Sequence, residues 1–298
     1  MASERSQNRP RRSALYMPGS NARAMEKARS LPCDVVILDL EDAVAPDAKV
    51  AAREAVAAAL AVGGFGPREV VVRVNGLDTP WGRDDLAMFG NCGAAAVLVP
   101  KVSSAAEVRA VDALLGGETR LWVMIETCAA MFRLEDIAAA SKDTRLDLFV
   151  AGTNDLAKEM RCVLDTGRSA LATGLFLMLA AARAHGLSVL DGVFNQLDDP
   201  EGLAQQCAQG AAMGFDGKTL IHPSQIETAN AAFSPAADAV AWAGVVVDAF
   251  AAPEAAGAGV LKVQGKMVEL LHLEEARRTL AIHRAITMNA ASLKEPAA

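Results

Sequence analysis

The sequence predicts an α/β chain folded as a (β/α)8 barrel, the TIM-barrel fold, followed by a C-terminal helical extension. Three observations predict it. Eight short runs rich in Val, Ile and Leu alternate with longer segments of helical spacing. Most of the runs are continuous rather than alternating in hydropathy, as parallel strands buried on both faces require. The composition, 52% hydrophobic and 22% charged over 298 residues, supports one sizeable core, and the 4% aromatic content favours helices packed through small side chains.

The runs are Ala14–Met17, Val35–Leu40, Val70–Val74, Ala95–Val99, Leu121–Ile125, Leu146–Val150, Leu187–Leu190 and Phe215–Ile221. Helical spacing covers Asp47–Val62, Ser104–Leu115, Ala129–Ser141, Arg168–His185 and Pro200–Met213. Eight β–α units in about 220 residues fit a closed barrel. The rival is a doubly wound open sheet, but the GxGxxG fingerprint of a dinucleotide fold does not follow the first strand. The segmentation is therefore 1–11 as a mobile basic arm, 12–233 as the barrel and 234–298 as the extension. In that extension Ala236–Phe250 reads as one helix, Pro253–Gly259 as a small-residue hinge and Lys266–Asn289 as a second helix. Barrel closure does not need this tail, which is expected to pack on a neighbouring subunit or cover its site.

Lys and Arg number 29 against 36 Asp and Glu, a net charge of −7. That balance argues against a nucleic-acid partner, because phosphate neutralisation needs a basic surface. No apolar run reaches the ~18 residues of a membrane span. The opening MASERSQNRPRR is polar and basic, with no signal-peptide core behind it. The five cysteines, Cys33, Cys92, Cys128, Cys162 and Cys207, are scattered and odd in number. They read as reduced thiols of a cytoplasmic protein.

In barrel enzymes chemistry sits at the C-terminal ends of the strands, and here most runs end in polar residues. The endings are Asp39-Leu40-Glu41-Asp42, Arg73-Val74-Asn75, Pro100-Lys101, Glu126-Thr127, Gly152-Thr153-Asn154-Asp155, Asp191 and Ile221-His222-Pro223. Glu126 and Asp155 follow consecutive strands. Two carboxylates with open positions suit Mg²⁺, which prefers oxygen ligands and keeps waters for a substrate such as a 2-oxo acid to displace. Alternatively, both cap the helices that follow them. The Gly152–Asp155 turn opens a helix whose free N–H groups suit a carboxylate. Arg73, at the end of a buried strand, either pairs with the acidic ring or offsets oxyanion charge. Lys101 reads as an ion-pair or phosphate contact rather than a Schiff-base nucleophile, since acidic neighbours raise its pKa. His222 is the one histidine at a strand end, and a structural role is the simpler reading.

Taken in order, RSALYMPGSNARAMEKA, DVVILDLEDAVAPDAK, VVRVNGLDTPW, LVPKV, MIET, AGTNDLAKE, FDGKTLIHPSQI and GKMVE resemble the citrate lyase β-subunit-like family, with its malyl-CoA and citramalyl-CoA lyases, in the HpcH/HpaI aldolase superfamily. The resemblance runs from about residue 12 to 285. It implies a Mg²⁺-dependent barrel, homotrimeric or homohexameric, that cleaves or forms a C–C bond in a 3-hydroxy-3-carboxyalkyl-CoA, releasing acetyl-CoA and a 2-oxo acid. By motif it implies Glu126 and Asp155 as metal ligands and Arg73 as the residue on the reacting oxygen. It implies the Asn154–Asp155 amides as a carboxylate cradle, and Tyr16, Met17, Lys27, Ile221 and His222 as coenzyme A contacts. Two positions depart from the family. Its tail motif usually carries Asp as acid or base, reaching into a neighbouring subunit, where this chain has Glu269, one methylene longer. The Asn21 position is often Arg in malyl-CoA lyases.

The expected activity is therefore a lyase. Three other readings share the site. They are a hydroxyacyl-CoA thioesterase, a free 4-hydroxy-2-oxo acid aldolase, and a citrate lyase β subunit acting on a carrier-bound thioester.

Overall fold

The computed structural model describes residues 8–293. Eight strands close a barrel in sequence order: β1 (Ser13–Pro18), β2 (Val35–Asp39), β3 (Glu69–Arg73), β4 (Ala96–Val99), β5 (Arg120–Ile125), β6 (Leu146–Ala151), β7 (Ser188–Asp191) and β8 (Gly217–Leu220). All neighbours are parallel, and β8 pairs with β1 through Ala14 and Thr219. The continuous apolar runs exist because each strand is covered twice. Val35 and Ile37 fill the barrel interior with Val71, Leu98, Trp122 and Leu148. Val36 and Leu38 point the other way, into the layer beneath the helices.

The surrounding helices are α1 (Ala22–Ala28), α2 (Lys49–Val62), α3 (Gly82–Phe89), α4 (Ala105–Asp112), α5 (Cys128–Met131), α6 (Leu134–Ala139), α7 (Thr153–Met160), α8 (Ala172–Ala184), α9 (Pro200–Met213) and α10 (Ile226–Ala232). Side-chain caps set the starts of α1, α4, α5 and α9. Ser104 accepts from the Glu107 amide, Thr127 from Ala130 and Asp199 from Gly202. The helix expected over Ala129–Ser141 is in fact two. Arg133 leaves helical geometry at φ −133°, ψ 17°, which ends α5 and starts α6.

Arg11, expected in the mobile arm, is instead 3% exposed. Its Nε and Nη2 fork onto Glu69 at 2.7 and 2.9 Å, and its guanidinium lies 5.0 Å over the Trp122 ring. It thus closes the N-terminal mouth of the barrel, where a charge is tolerated because it is paired. The rest of the expected arm up to residue 7 lies outside the described residues.

Among the described residues the chain divides into two compact units, the barrel of residues 11–233 and a C-terminal unit of residues 234–293 that also takes in residues 8–10. The latter contains α11 (Ala237–Ala251), a hairpin of β9 (Val260–Val263) and β10 (Lys266–Glu269), and α12 (Leu270–Ser292). Ala243, Val246, Val263, Val268 and Leu273 form its core. The hairpin corrects the expectation of one helix from Lys266. Gln264 and Gly265 both take positive φ, 46° and 81°, the two-residue turn that matches strand twist. Among the described residues no single helix is long and apolar enough to cross a membrane.

Candidate active site

A cavity of about 340 Å³ opens at the C-terminal ends of the strands. It gathers Tyr16, Arg73, Glu126, Asn154, Asp155 and Ile221 from the sequence expectation, with Asp39 and Asp42 from the acidic cluster. Four carboxylates and a single guanidinium therefore line it.

Arg73 ends β3 and turns inward. Asp39, at the end of the neighbouring strand, receives Nε and Nη2 at 2.6 and 2.7 Å. A two-point fork of this kind fixes the guanidinium plane. Below it lies the Tyr16 ring, 4.7 Å from the guanidinium carbon. Glu41 Oε2 stands 2.7 Å from Nη1, and Asp42 reaches the same nitrogen at 3.4 Å. The Glu41 contact is by charge alone, since that oxygen has no aligned donor. Burial pushes the Glu41 carboxyl up, against the pull of Arg73 and Lys101.

Glu126, one residue past β5, is 3% exposed. Its Oε1 accepts the Lys101 amide at 2.8 Å. Burial drives its carboxyl up to about 8; the Lys101 amide opposes this, while Glu41 and Asp155 add to it. Such a group favours a cation or a proton beside it. The next strand, β6, is followed directly by Gly152, where any Cβ would overlap the Glu126 side chain. Only glycine admits this approach.

Gly152 then opens α7. The first intrahelical bond runs from the Leu156 amide to the Gly152 carbonyl, so the amides of Thr153, Asn154 and Asp155 precede the helical ladder. All three residues line the cavity. Asn154 is held by two reciprocal amide hydrogen bonds to Asn195, at 2.8 and 3.2 Å. Asn195 lies in the loop after β7 and also lines the cavity, but nothing in the sequence singles it out.

Asp191 ends β7 yet turns away from the cavity. It is wholly buried with Lys218, and both pair with each other at 3.1 Å. Arg168, from the loop before α8, bonds its other oxygen. Lys218 also bonds the Gly192 carbonyl and Gln206 Oε1, the latter at 2.7 Å. This triad braces the loop that carries Asn195.

Of the expected coenzyme A contacts, Tyr16 and Ile221 line the cavity, and Met17, Lys27 and His222 do not. Tyr16 does so from inside the barrel, as the platform for Arg73. The Met17 side chain is 5% exposed and packs beneath the helices. Strand alternation dictates this, since Tyr16 and Met17 must face opposite sides. Lys27 is exposed on α1. Ile221 lies at the rim, whereas His222 caps the turn after β8 through Ser224, with Nδ1 2.8 Å from its hydroxyl. Glu269 belongs to the C-terminal unit, where it caps α12. Lys101 pairs with Glu41 at 3.1 Å, as an ion-pair lysine should. Burial lowers its ammonium pKa and Glu41 more than offsets that, so the shift is upward.

The donor set fits a hard divalent cation. Glu126 and Asp155 supply charged oxygens, and the acidic lining needs a counter-charge before an anion can enter. Among the described residues no cluster of three or more His, Cys, Asp or Glu side chains is arranged to hold a metal. Two protein carboxylates completed by water and substrate oxygens are typical of Mg²⁺.

Known proteins agree with this architecture. The model of the HpcH/HpaI aldolase/citrate lyase family matches residues 12–223. A (3S)-malyl-CoA thioesterase of Cereibacter sphaeroides is 50% identical over 286 residues, covering 96% of this chain and 99% of that protein. An L-malyl-CoA/beta-methylmalyl-CoA lyase of the same species is 35% identical over 298 residues, covering 90% and 93%. Among solved structures, CitE from Mycobacterium tuberculosis in complex with magnesium, acetoacetate and coenzyme A superposes with a TM-score of 0.73 at 29% identity, covering 92% of this chain and 98% of that one. The chain belongs to the HpcH/HpaI aldolase/citrate lyase family.

Proposed function

We propose that the protein is a Mg²⁺-dependent enzyme acting on 3-hydroxy-3-carboxyalkyl-CoA thioesters of the malyl-CoA class, and that it hydrolyses them. The observation that carries the substrate class is the buried Glu126 beside Asp155, next to the free amides of α7. The 50% identity to a malyl-CoA thioesterase, against 35% to a malyl-CoA lyase, moves hydrolysis ahead of the expected cleavage.

Mg²⁺ held by Glu126 and Asp155 would supply Lewis acidity to the hydroxyl and carboxylate oxygens of the substrate. The amides of Thr153, Asn154 and Asp155 receive the carboxylate at the positive end of α7. Arg73, fixed by Asp39, offsets charge on the thioester oxygen as water adds to the carbonyl carbon. The C–S bond then breaks; the acid keeps the water oxygen, and the thiolate takes up a proton to leave as free coenzyme A. Tyr16 and Met124 wall the reacting centre from bulk water below.

C–C cleavage is the second reading, favoured by the lyase relatives. The substrate hydroxyl loses its proton, the C–C bond breaks, and the acyl-CoA enolate gains a proton. Glu269 from another copy in a homotrimer or homohexamer is the proposed base. Coenzyme A is proposed to run along the rim past Ile221 toward Lys27.

Malyl-, citramalyl- and citryl-CoA with Mg²⁺, monitored for both product sets, test the proposal. Hydroxy acid plus free coenzyme A is expected. Acetyl-CoA plus a 2-oxo acid selects the second reading. Undiminished turnover in excess EDTA, or no product from any of the three, overturns the assignment.

A further inference from the structure

We infer that Lys101 is the positioning residue of the cation site: its amide holds Glu126, and its left-handed φ sends the side chain from that amide to Glu41 and so to Arg73. The inference rests on the proposed reading of Glu126 as a cation ligand.

Lys101 follows β4 with φ 56°, one of four non-glycine residues at positive φ among those described. A side chain there is sterically costly and persists only where the surroundings demand it. The amide, oriented by the peptide plane it shares with Pro100, points across to the next strand and donates to Glu126 Oε1 at 2.8 Å, and the positive φ sets the course of the side chain and of the following loop from that anchored amide. The carbonyl accepts from Ser103 Oγ at 3.2 Å, and that hydroxyl lies 2.7 Å from Thr127 Oγ1. The loop after β4 is thus stapled to the loop after β5 at two points, Glu126 itself and Thr127.

A glycine would take this φ without strain, so backbone direction alone does not explain a lysine. The side chain does. Nζ reaches Glu41 Oε1 at 3.1 Å, and the other oxygen of Glu41 stands 2.7 Å from Arg73 Nη1. Glu41 bridges two cations, one of which carries the amide that holds Glu126. A single chain of contacts, Arg73–Glu41–Lys101–Glu126, therefore links the residue facing the reacting oxygen to the cation ligand. The Lys101 side chain is 48% exposed, which suits a tether and not a desolvated nucleophile.

The test is Mn²⁺ binding to the metal-free full-length chain, read by loss of the free-ion paramagnetic resonance signal, with Mg²⁺ as competitor. The wild type should bind and Glu126→Gln should not. Lys101→Ala keeps the strained φ and loses the tether, and should weaken binding about 10- to 100-fold. Lys101→Gly loses the tether but relieves the strain, and should recover about tenfold of that loss. Glu41→Gln should weaken binding in the wild-type background and add nothing in Lys101→Gly. Melting temperatures of the same variants check that each is folded. Equal affinity of Lys101→Ala and wild type, with Glu126→Gln inert, overturns the inference and leaves the cation site standing. So does equal weakening by Ala and Gly, which would mean that the tether is not holding a strained φ. Wild-type binding by Glu126→Gln overturns the site reading, and this inference with it.

Discussion

Gly152 lies so close to Glu126 that a Cβ at 152 would overlap the glutamate side chain. The end of β6 is thus the wall against which the Glu126 carboxylate is set, and the same glycine opens the helix that carries Asp155. One residue fixes the spacing of both proposed ligands.

Gly152→Ala is therefore expected to displace Glu126 rather than be absorbed. Mn²⁺ affinity should fall at least tenfold, and stability should drop by about 1–3 kcal/mol from overpacking. Metal titration and urea unfolding of the same sample check both. A variant that binds Mn²⁺ normally would show that the wall is dispensable.

Arg73→Lys keeps the charge and loses the fork onto Asp39. A lysine offers a point charge where the guanidinium offers a fixed plane. With malyl-CoA, kcat/KM should fall by about 100- to 1,000-fold, the scale for loss of one oxyanion donor. Steady-state kinetics decide it, and a change below threefold would remove Arg73 from the reacting oxygen.

Asp191→Asn removes the anion between two buried cations, Arg168 and Lys218. Leaving such charges uncompensated costs about 3–5 kcal/mol. The urea midpoint should fall accordingly with its slope unchanged. A loss under 1 kcal/mol would mean that Gln206, on Lys218, and Gln209, whose Oε1 accepts from Arg168 at 3.0 and 2.7 Å, hold the cations without Asp191.

Burial pushes the Cys33 and Cys207 thiols up from 9.0 to about 11. The folded state keeps these protons after the unfolded chain has released them. Stability should therefore fall as pH rises from 9 to 11, by on the order of 2 kcal/mol per thiol. Unfolding curves of Cys33→Ala and Cys207→Ala against wild type isolate the effect, which should shrink in each. In the native protein at pH 8 both thiols should resist alkylation while the half-buried Cys92, Cys128 and Cys162 react; labelling of Cys207 before unfolding would contradict this.

The barrel was legible because a strand covered on both faces must be apolar throughout, as VVILD and AVLV are. Arg73, Glu126 and Asp155 were legible because polar residues at strand ends are conspicuous after such runs. Motif resemblance groups Tyr16 with Met17, whereas strand parity turns Tyr16 into the barrel and Met17 beneath the helices. Asp191 and Lys101 were visible as strand-end charges, but their roles depend on direction. One faces outward to Lys218, and the other acts on Glu126 through its amide. The hairpin at Gln264–Gly265 is illegible in the sequence because helical spacing continues on its far side and the turn is only two residues long. Arg11 falls within the expected mobile arm because the partner that anchors it, Glu69, lies 58 residues away.

The order of elements, the barrel and the ring of polar strand ends were settled by the sequence itself, since hydropathy period and turn residues are local properties. Which of those ends face one another was decided only by closure of the barrel. Closure brings β3, β5 and β6 around one axis and lets a glycine, an amide and a carboxylate meet across strands. Such contacts depend on the direction of each side chain and on distance in space, neither of which is written in the spacing along the chain.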